Sequence, residues 1–380
     1  MQTYRIYFLL LALLLVGCSE NTDGDQESKE EFPNVDATYS LLIQTNELLT
    51  QINLNADAET IFLDPGISEF ESSSLPTVTY RDGSEISIFN SQTDCSGIVS
   101  LYDFKNDALQ KTIVFDDLGN CDLEVRALAH SGNDFYIGYE VPGEGLKETL
   151  YYFRTIDISN SEPEIVDIEL DKRPLQAIFS NNMVFILSVD LEDDNRNYLT
   201  VFDTVNEEFV ADINLGFDVL RLFKSEGGNI IVSYPELHNI VSSSSLAIVK
   251  TTRYEDGKEP RFGDSESSSS DEQGNLYYSM PTNFVGTSYP TIPAVFDFET
   301  NTAILYYYEN FLSEQEQSVE FKIARTTMVS YDAKNNLIVI GYKKSGEPDK
   351  GGLLRIRPIP NPAFIDNIDL SGVPFQIYTN

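Results

Sequence analysis

A turn built from Gly, Asn or Asp, followed at once by a short hydrophobic strand, recurs along this chain. Asp82-Gly83-Ser84 precedes Ile86-Ser87-Ile88-Phe89, and Ser131-Gly132-Asn133 precedes Phe135-Tyr136-Ile137-Gly138-Tyr139. Ser180-Asn181-Asn182 leads into Val184-Phe185-Ile186-Leu187, and Glu226-Gly227-Gly228-Asn229 into Ile230-Ile231-Val232. Gln273-Gly274-Asn275 precedes Leu276-Tyr277-Tyr278, and Lys334-Asn335-Asn336 precedes Leu337-Ile338-Val339-Ile340. Gly and Asn accept the positive φ that tight hairpins demand. The turns return every ~46 to 62 residues, with alternating apolar runs between them and no capped 3.6-residue periodicity. A period of that length holds four short strands, so the chain is expected to be all-β and to form a β-propeller.

Each unit reads as inner strand, turn, second strand, loop, third strand, turn and outer strand. In the second blade these are Arg126–His130, Phe135–Tyr139, Leu150–Thr155 and Glu164–Glu169. In the third they are Leu175–Phe179, Val184–Val189, Tyr198–Asp203 and Phe209–Leu215. At the C-terminal end Val373–Thr379 looks like an inner strand without a blade. At the other end Tyr39–Gln44, Leu48–Leu54 and Thr60–Leu63 look like a blade without an inner strand. Joining them closes the ring and removes the open sheet edges. The expectation is seven four-stranded blades, the last shared by both termini. Six or eight remain open, because Asp64 to Ser74 can be read either way. In repeat geometry, residues 39–380 resemble the bacterial seven-bladed propellers of the YVTN and quinoprotein-like group. The resemblance is architectural and carries no diagnostic motif.

The first residues give an expected address. Arg5 is followed by an apolar run of eleven residues, Ile6 to Val16, too short to span a bilayer and suited to a signal peptide. Leu15-Val16-Gly17-Cys18 resembles the lipobox of bacterial lipoproteins. That resemblance implies cleavage before Cys18 and its modification by diacylglycerol and a further acyl chain such as palmitate. Ser19 to Phe32 is polar and acidic, without apolar pattern, and reads as a tether. Ser19 behind the cysteine implies release to the outer membrane. The acidic run is similar to the surface-export tethers of Bacteroidota lipoproteins; a periplasm-facing anchor is the alternative. The expected organisation is a signal peptide over 1–17, a lipidated tether over 18–36 and a single propeller domain over 37–380.

Charge narrows the partners. The net charge of −36 argues against nucleic acid and against anionic lipid surfaces, leaving the lipid anchor as the expected membrane contact. With Cys18 lipidated, Cys95 and Cys121 remain. The propeller reading puts Cys95 in a loop between second and third strands and Cys121 in a loop leading to the next inner strand. Both then lie on one face of one blade, and a disulfide is expected in an oxidising compartment.

Catalysis is poorly supported. The chain has two histidines, His130 at the turn end of an inner strand and His238 in a loop on the opposite face. They make no histidine-rich metal site, no nucleophile elbow is present, and a tryptophan floor for a quinone is excluded because Trp is absent. No cofactor is expected. Asp190, Glu192, Asp193, Asp194 and Asn195 offer alternating oxygen ligands that suit Ca²⁺. The run lacks the EF-hand glycine and distal Glu, so a solvated acidic loop is the favoured reading.

A basic pattern is sharper. Only 25 Lys and Arg are present, yet Arg126, Arg173, Arg221 and Arg325 recur where inner strands begin, at the rim of the central funnel. Such a ring suits a carboxylate, sulfate or phosphate. The alternative is that each arginine pairs with an acid of a neighbouring blade. The same face carries long loops: Pro235 to Ser245 with His238, Pro281 to Pro293 with Asn283, Phe284 and Tyr289, and Glu309 to Glu320. Aromatic and amide side chains there suit a carbohydrate or a protein partner. The expected function is an anchored binding module for an anionic glycan or small anion. A scaffold for an outer-membrane protein partner and a glycan lyase or hydrolase are the alternatives.

Overall fold

The computed structural model of the chain describes residues 35–380 apart from 47, 67–69, 71–73, 144–147, 161, 263–266, 272 and 283–285. Cys18 and the expected signal peptide therefore lie outside the described residues, as do Asn283 and Phe284. Blade 3 shows how sequence becomes sheet. Its strands are Arg173–Ser180, Met183–Asp190, Arg196–Asp203 and Glu208–Gly216. Asn181 and Asn182, at φ 51° and 59°, form the two-residue turn between Ser180 and its cross-strand partner Met183. Two consecutive positive φ values match the twist of the flanking strands. The second strand is buried from Val184 to Val189, because neighbouring blades cover both of its faces. The outer strand alternates between exposed and half-buried positions, as a sheet margin does.

The same plan repeats in seven four-stranded antiparallel sheets arranged in a ring, the seven-bladed propeller expected from the turns. Blades 1 to 6 begin on inner strands Val78–Asp82, Glu124–Ser131, Arg173–Ser180, Arg221–Lys224, Ser269–Ser270 and Ile323–Asp332. Blade 7 has the order Val373–Thr379, Ala37–Thr45, Leu48–Ala56, Ile61–Leu63, so the chain closes on itself. Leu41 pairs with Ile377 and Gln44 with Val373 across that closure.

Blades touch through side chains, and two contacts recur. Gly138 and Gly341 sit mid-way along second strands, beneath Pro174 and Pro374 of the next inner strand. A Cβ on Gly138 would lie 2.7 Å from Pro174 Cβ, and one on Gly341 2.6 Å from Pro374 Cβ. The second recurrence is a buried arginine in a third strand. Arg154 of blade 2 faces Asp167 across the sheet and holds it with a fork of 2.8 and 2.6 Å. Its remaining donors reach Asp117 at 2.9 and 2.8 Å and the Val114 carbonyl at 2.6 Å, both beyond the blade boundary. Arg355 of blade 6 repeats the arrangement with Asp366, 2.8 Å at both prongs, and donates to the Asp57 carbonyl of blade 7 at 2.6 Å. Both guanidinium groups are fully buried, so these donors need partners; charge-assisted forks supply them.

Cys95 and Cys121 form the expected disulfide on one face of blade 1. It bridges the loop between the second and third strands to the loop that leads into blade 2. Among the described residues the helical pieces are short turns, Tyr308–Asn310 and Glu316–Glu320, and no helix is long and apolar enough to cross a membrane.

Candidate functional site

Inner strands line the central channel, so its chemistry is set by a handful of positions near their starts and ends. Cavities of about 260 and 220 Å³ lie along it, both lined by Thr79, Tyr80, Gln176 and Arg221. The smaller one opens toward the strand starts and includes Arg126. The larger lies toward the turn ends and includes Arg81, Asp82 and Lys224. A third cavity of about 460 Å³, at the strand starts of blades 5 to 7, is lined by Arg325, Thr326, Thr327, Ser267 and Phe375.

The four arginines expected at the rim divide. Arg126 and Arg173 converge on one carboxylate, Glu140 of the second strand of blade 2. Arg173 makes a fork, Nε to Oε2 at 2.7 Å and Nη2 to Oε1 at 2.7 Å. Arg126 donates to Oε1 from Nε at 3.1 Å and from Nη2 at 2.6 Å, and also contacts Glu124. This is a lock between blades 2 and 3. Burial pushes the Glu140 carboxyl up, but hydrogen bonds from Arg173 and Arg126 outweigh it and hold the group below the ordinary carboxylate range. Arg325, by contrast, is exposed and makes no ion pair among the described residues. Arg221 lines the two cavities of the channel.

Two cations of the channel wall escaped the reading of strand starts, because they sit near strand ends. Lys224 donates to Asp82 across the channel at 2.7 Å. Arg81 has no carboxylate partner among the described residues. Its Nη1 donates to the Ile377 carbonyl at 2.6 Å and to Gln376 Oε1 at 3.4 Å, and its Nε to the Gly83 carbonyl at 3.2 Å. The guanidinium lies 5.7 Å from the Phe104 ring centre. Burial without a compensating anion pulls its pKa down to about 10. The run Val78-Thr79-Tyr80-Arg81-Asp82 signals this position, as a charged pair entering a turn from an inner strand.

Charge is thus segregated. Arg81, Arg126, Arg221, Lys224 and Arg325 line the three channel cavities, and among the described residues Asp82 is the one acid lining them. A cavity of about 330 Å³ outside the channel, between blades 2 and 3, has the opposite character. Asp134, Asp157, Glu164 and Glu207 line it without a cation among the described residues, and burial together with the Asp157 and Glu207 charges pushes the Asp134 carboxyl up.

Other expected residues are placed differently from the sequence reading. His238 does not lie in a loop. It belongs to the third strand of blade 4, Leu237–Val241, and is fully buried. Tyr254, Phe296 and Phe298 surround it, with ring centres at 5.5, 6.2 and 5.3 Å. Both ring nitrogens lack a hydrogen-bond partner among the described residues, and burial, helped by Lys250, lowers its pKa to about 4. Tyr289 is turned inward: its ring packs on Tyr308 at 4.8 Å and its hydroxyl donates to Gln317 Oε1 at 2.9 Å. With the 2.9 Å bond from Thr287 to Glu309, this folds the two long insertions of blade 5 onto each other. His130 is buried beside Ser87, at 2.9 Å from Nδ1. In the acidic loop, Asp190 accepts the backbone N–H groups of Glu192 and Asp193, and Asp193 pairs with Arg196 at 2.7 Å. Among the described residues no three His, Cys, Asp or Glu side chains are grouped to hold a metal ion.

No protein-family model matches the chain, and no curated protein matches it in sequence. Among solved structures it is similar to a protein of unknown function from Bacteroides caccae, at 8% identity and a TM-score of 0.41 over 78% of this chain and 99% of that one. It is similar to a functionally unknown protein from Desulfotomaculum acetoxidans, at 7% identity and a TM-score of 0.43 over 72% and 77% of the two chains. A puromycin-hydrolyzing peptidase from Mycobacterium tuberculosis matches at 12% identity and a TM-score of 0.48, over 88% of this chain and 53% of that one. At these identities and scores the likenesses carry no argument about function.

Proposed function

We propose that this chain is a lipid-anchored binding module of the outer membrane, and that it takes an anionic ligand at the loop-side mouth of the central channel. The observation that carries the reading is the segregation of charge. Among the described residues, a chain with 61 acids and 25 Lys and Arg lines its channel cavities with five cations and one acid. Cations in a concave, low-dielectric wall focus potential on an anion and give it charge-assisted donors. Arg325 is the central residue of this reading, being exposed at the mouth and outside the interblade locks. Arg126 contributes less, since Glu140 already holds it. His130 and His238 are buried in different blades and line none of the channel cavities, which favours binding over proton-transfer chemistry. The anchor rests on the Leu15-Val16-Gly17-Cys18 segment.

The test is a glycan array of uronate-, sulfate- and phosphate-bearing ligands against neutral ones, run on the full chain and on Arg325→Gln. Preferential binding of anionic ligands is expected, weakened roughly tenfold or more in the variant, with thermal unfolding unchanged. Equal retention of neutral and anionic glycans would refute the channel reading. Detergent partitioning of wild type against Cys18→Ala tests the anchor separately; a membrane-bound variant would exclude lipidation at Cys18.

A further inference from the structure

Arg81 is the anomaly of the channel. It is a half-buried guanidinium in a protein rich in carboxylates, yet among the described residues it donates to the carbonyl oxygens of Gly83 and Ile377 and the amide oxygen of Gln376. Those bonds fix Nε and Nη1 and leave Nη2 without a partner among the described residues. A half-buried guanidinium whose bonds all go to neutral oxygens keeps a donor for an anion. The cavity beside it is small. Its volume of about 260 Å³ falls below the ~300–1,000 Å³ typical of drug-sized sites. Its wall adds Lys224, itself bonded to Asp82 at 2.7 Å, and the hydroxyls of Thr79, Ser268 and Ser270.

We infer that the turn end of the channel is a second binding site, separate from the loop-side mouth, built on Arg81 for a small monocarboxylate bearing several hydroxyl groups. The carboxylate bonds Arg81 Nη2 and Lys224 Nζ. The ligand hydroxyls meet the Ser and Thr hydroxyls and donate to Asp82. Asp82 also selects: a carboxylate on the wall accepts from neutral hydroxyls and repels the second charge of a phosphate dianion. Acetate lacks the hydroxyls, and a neutral hexose lacks the charge that Arg81 requires.

Calorimetric titration of the full chain with galacturonate, galactose, acetate and inorganic phosphate tests the site. Galacturonate is expected to bind at least tenfold more tightly than the other three. Arg81→Gln is expected to remove that preference, while Arg325→Gln leaves it intact. Ser270→Phe, at an exposed rim position, blocks the cavity without touching Arg81 and is expected to abolish galacturonate binding even if Arg81→Gln does not fold. Phosphate binding as tightly as galacturonate, or binding that survives Ser270→Phe, would overturn the inference. Loss on Arg325→Gln alone would also overturn it, and would leave the mouth reading standing.

Discussion

Replacing His238 by Phe should change the acid stability of this protein in a way that isolates one buried group. In the native state the imidazole lies among Tyr254, Phe296 and Phe298, and burial lowers its pKa from 6.5 to about 4. Above pH 6.5 the ring is neutral in both folded and unfolded chains and adds no pH dependence. Between pH 6.5 and 4 the unfolded chain binds a proton that the native state refuses, so stability falls as pH falls. Below about pH 4 the contribution is flat. The gap between the two pKa values corresponds to roughly 3 kcal/mol. Phe also removes two buried nitrogens that lack partners, worth about 1–3 kcal/mol each, against an overpacking cost of about 1–3 kcal/mol for the larger ring. These terms act at every pH, so the two proteins should be of similar stability at pH 7, or the variant somewhat more stable. The decisive quantity is the change in their difference. Urea unfolding followed by circular dichroism should show the variant gaining about 3 kcal/mol on wild type between pH 7 and pH 4. Carboxylate titrations are common to both proteins and cancel. A difference that stays constant across that range would show that His238 takes up its proton in the folded protein without penalty, and the burial argument would fail.

Three other perturbations probe the ring. Glu140→Gln leaves Arg126 and Arg173 facing a neutral amide; because both arginines are partly solvated, the loss should be about 1–3 kcal/mol, read by urea unfolding. Gly341→Ala places a methyl 2.5 Å from Met328 Cγ and 2.6 Å from Pro374 Cβ, so the blade 6 to blade 7 seam must shift, at about 1–3 kcal/mol in the same assay. Removing the Cys95–Cys121 bridge as a double Ser variant opens a loop of 26 residues and should cost roughly 3 kcal/mol, with unfolding of the reduced wild type matching that of the variant.

The ring was legible because its signals are local. Turn residues such as Asn181-Asn182 need only their own backbone to be read, and the orphan strand Val373–Thr379 announces its missing blade. The disulfide followed from the same geometry. Side-chain partners were less legible, because pairing depends on which blade faces which. Arg126 and Arg173 looked alike from sequence, and their shared acid proved to be Glu140, fourteen residues beyond Arg126. Asp171, the nearer acid, pairs with Lys172 instead. Arg154 and Arg355 carried a signal that could have been used: an arginine among apolar residues of a third strand, with an aspartate directly opposite. His238 was misplaced because the segment after Pro235 reads as polar, while its burial comes from Phe296 and Phe298 of the adjacent blade.

The route by which the ring closes also determines how it carries load. Ala37–Thr45, the first strand of the domain, is not a margin of its sheet. It is bonded to Leu48–Ala56 on one side and to Val373–Thr379 on the other. Any pull on the chain ahead of Ala37 therefore enters the molecule at a strand gripped by two ladders, and it cannot be peeled away one bond at a time from a free edge. The grip depends on a strand more than 300 residues further along the chain. Until Val373–Thr379 has been added, one flank of that strand is bare, and the same pull meets a single ladder. A chain cut ahead of Val373 would keep six complete blades and leave Ala37–Thr45 held by a single ladder against whatever draws on the segment ahead of it.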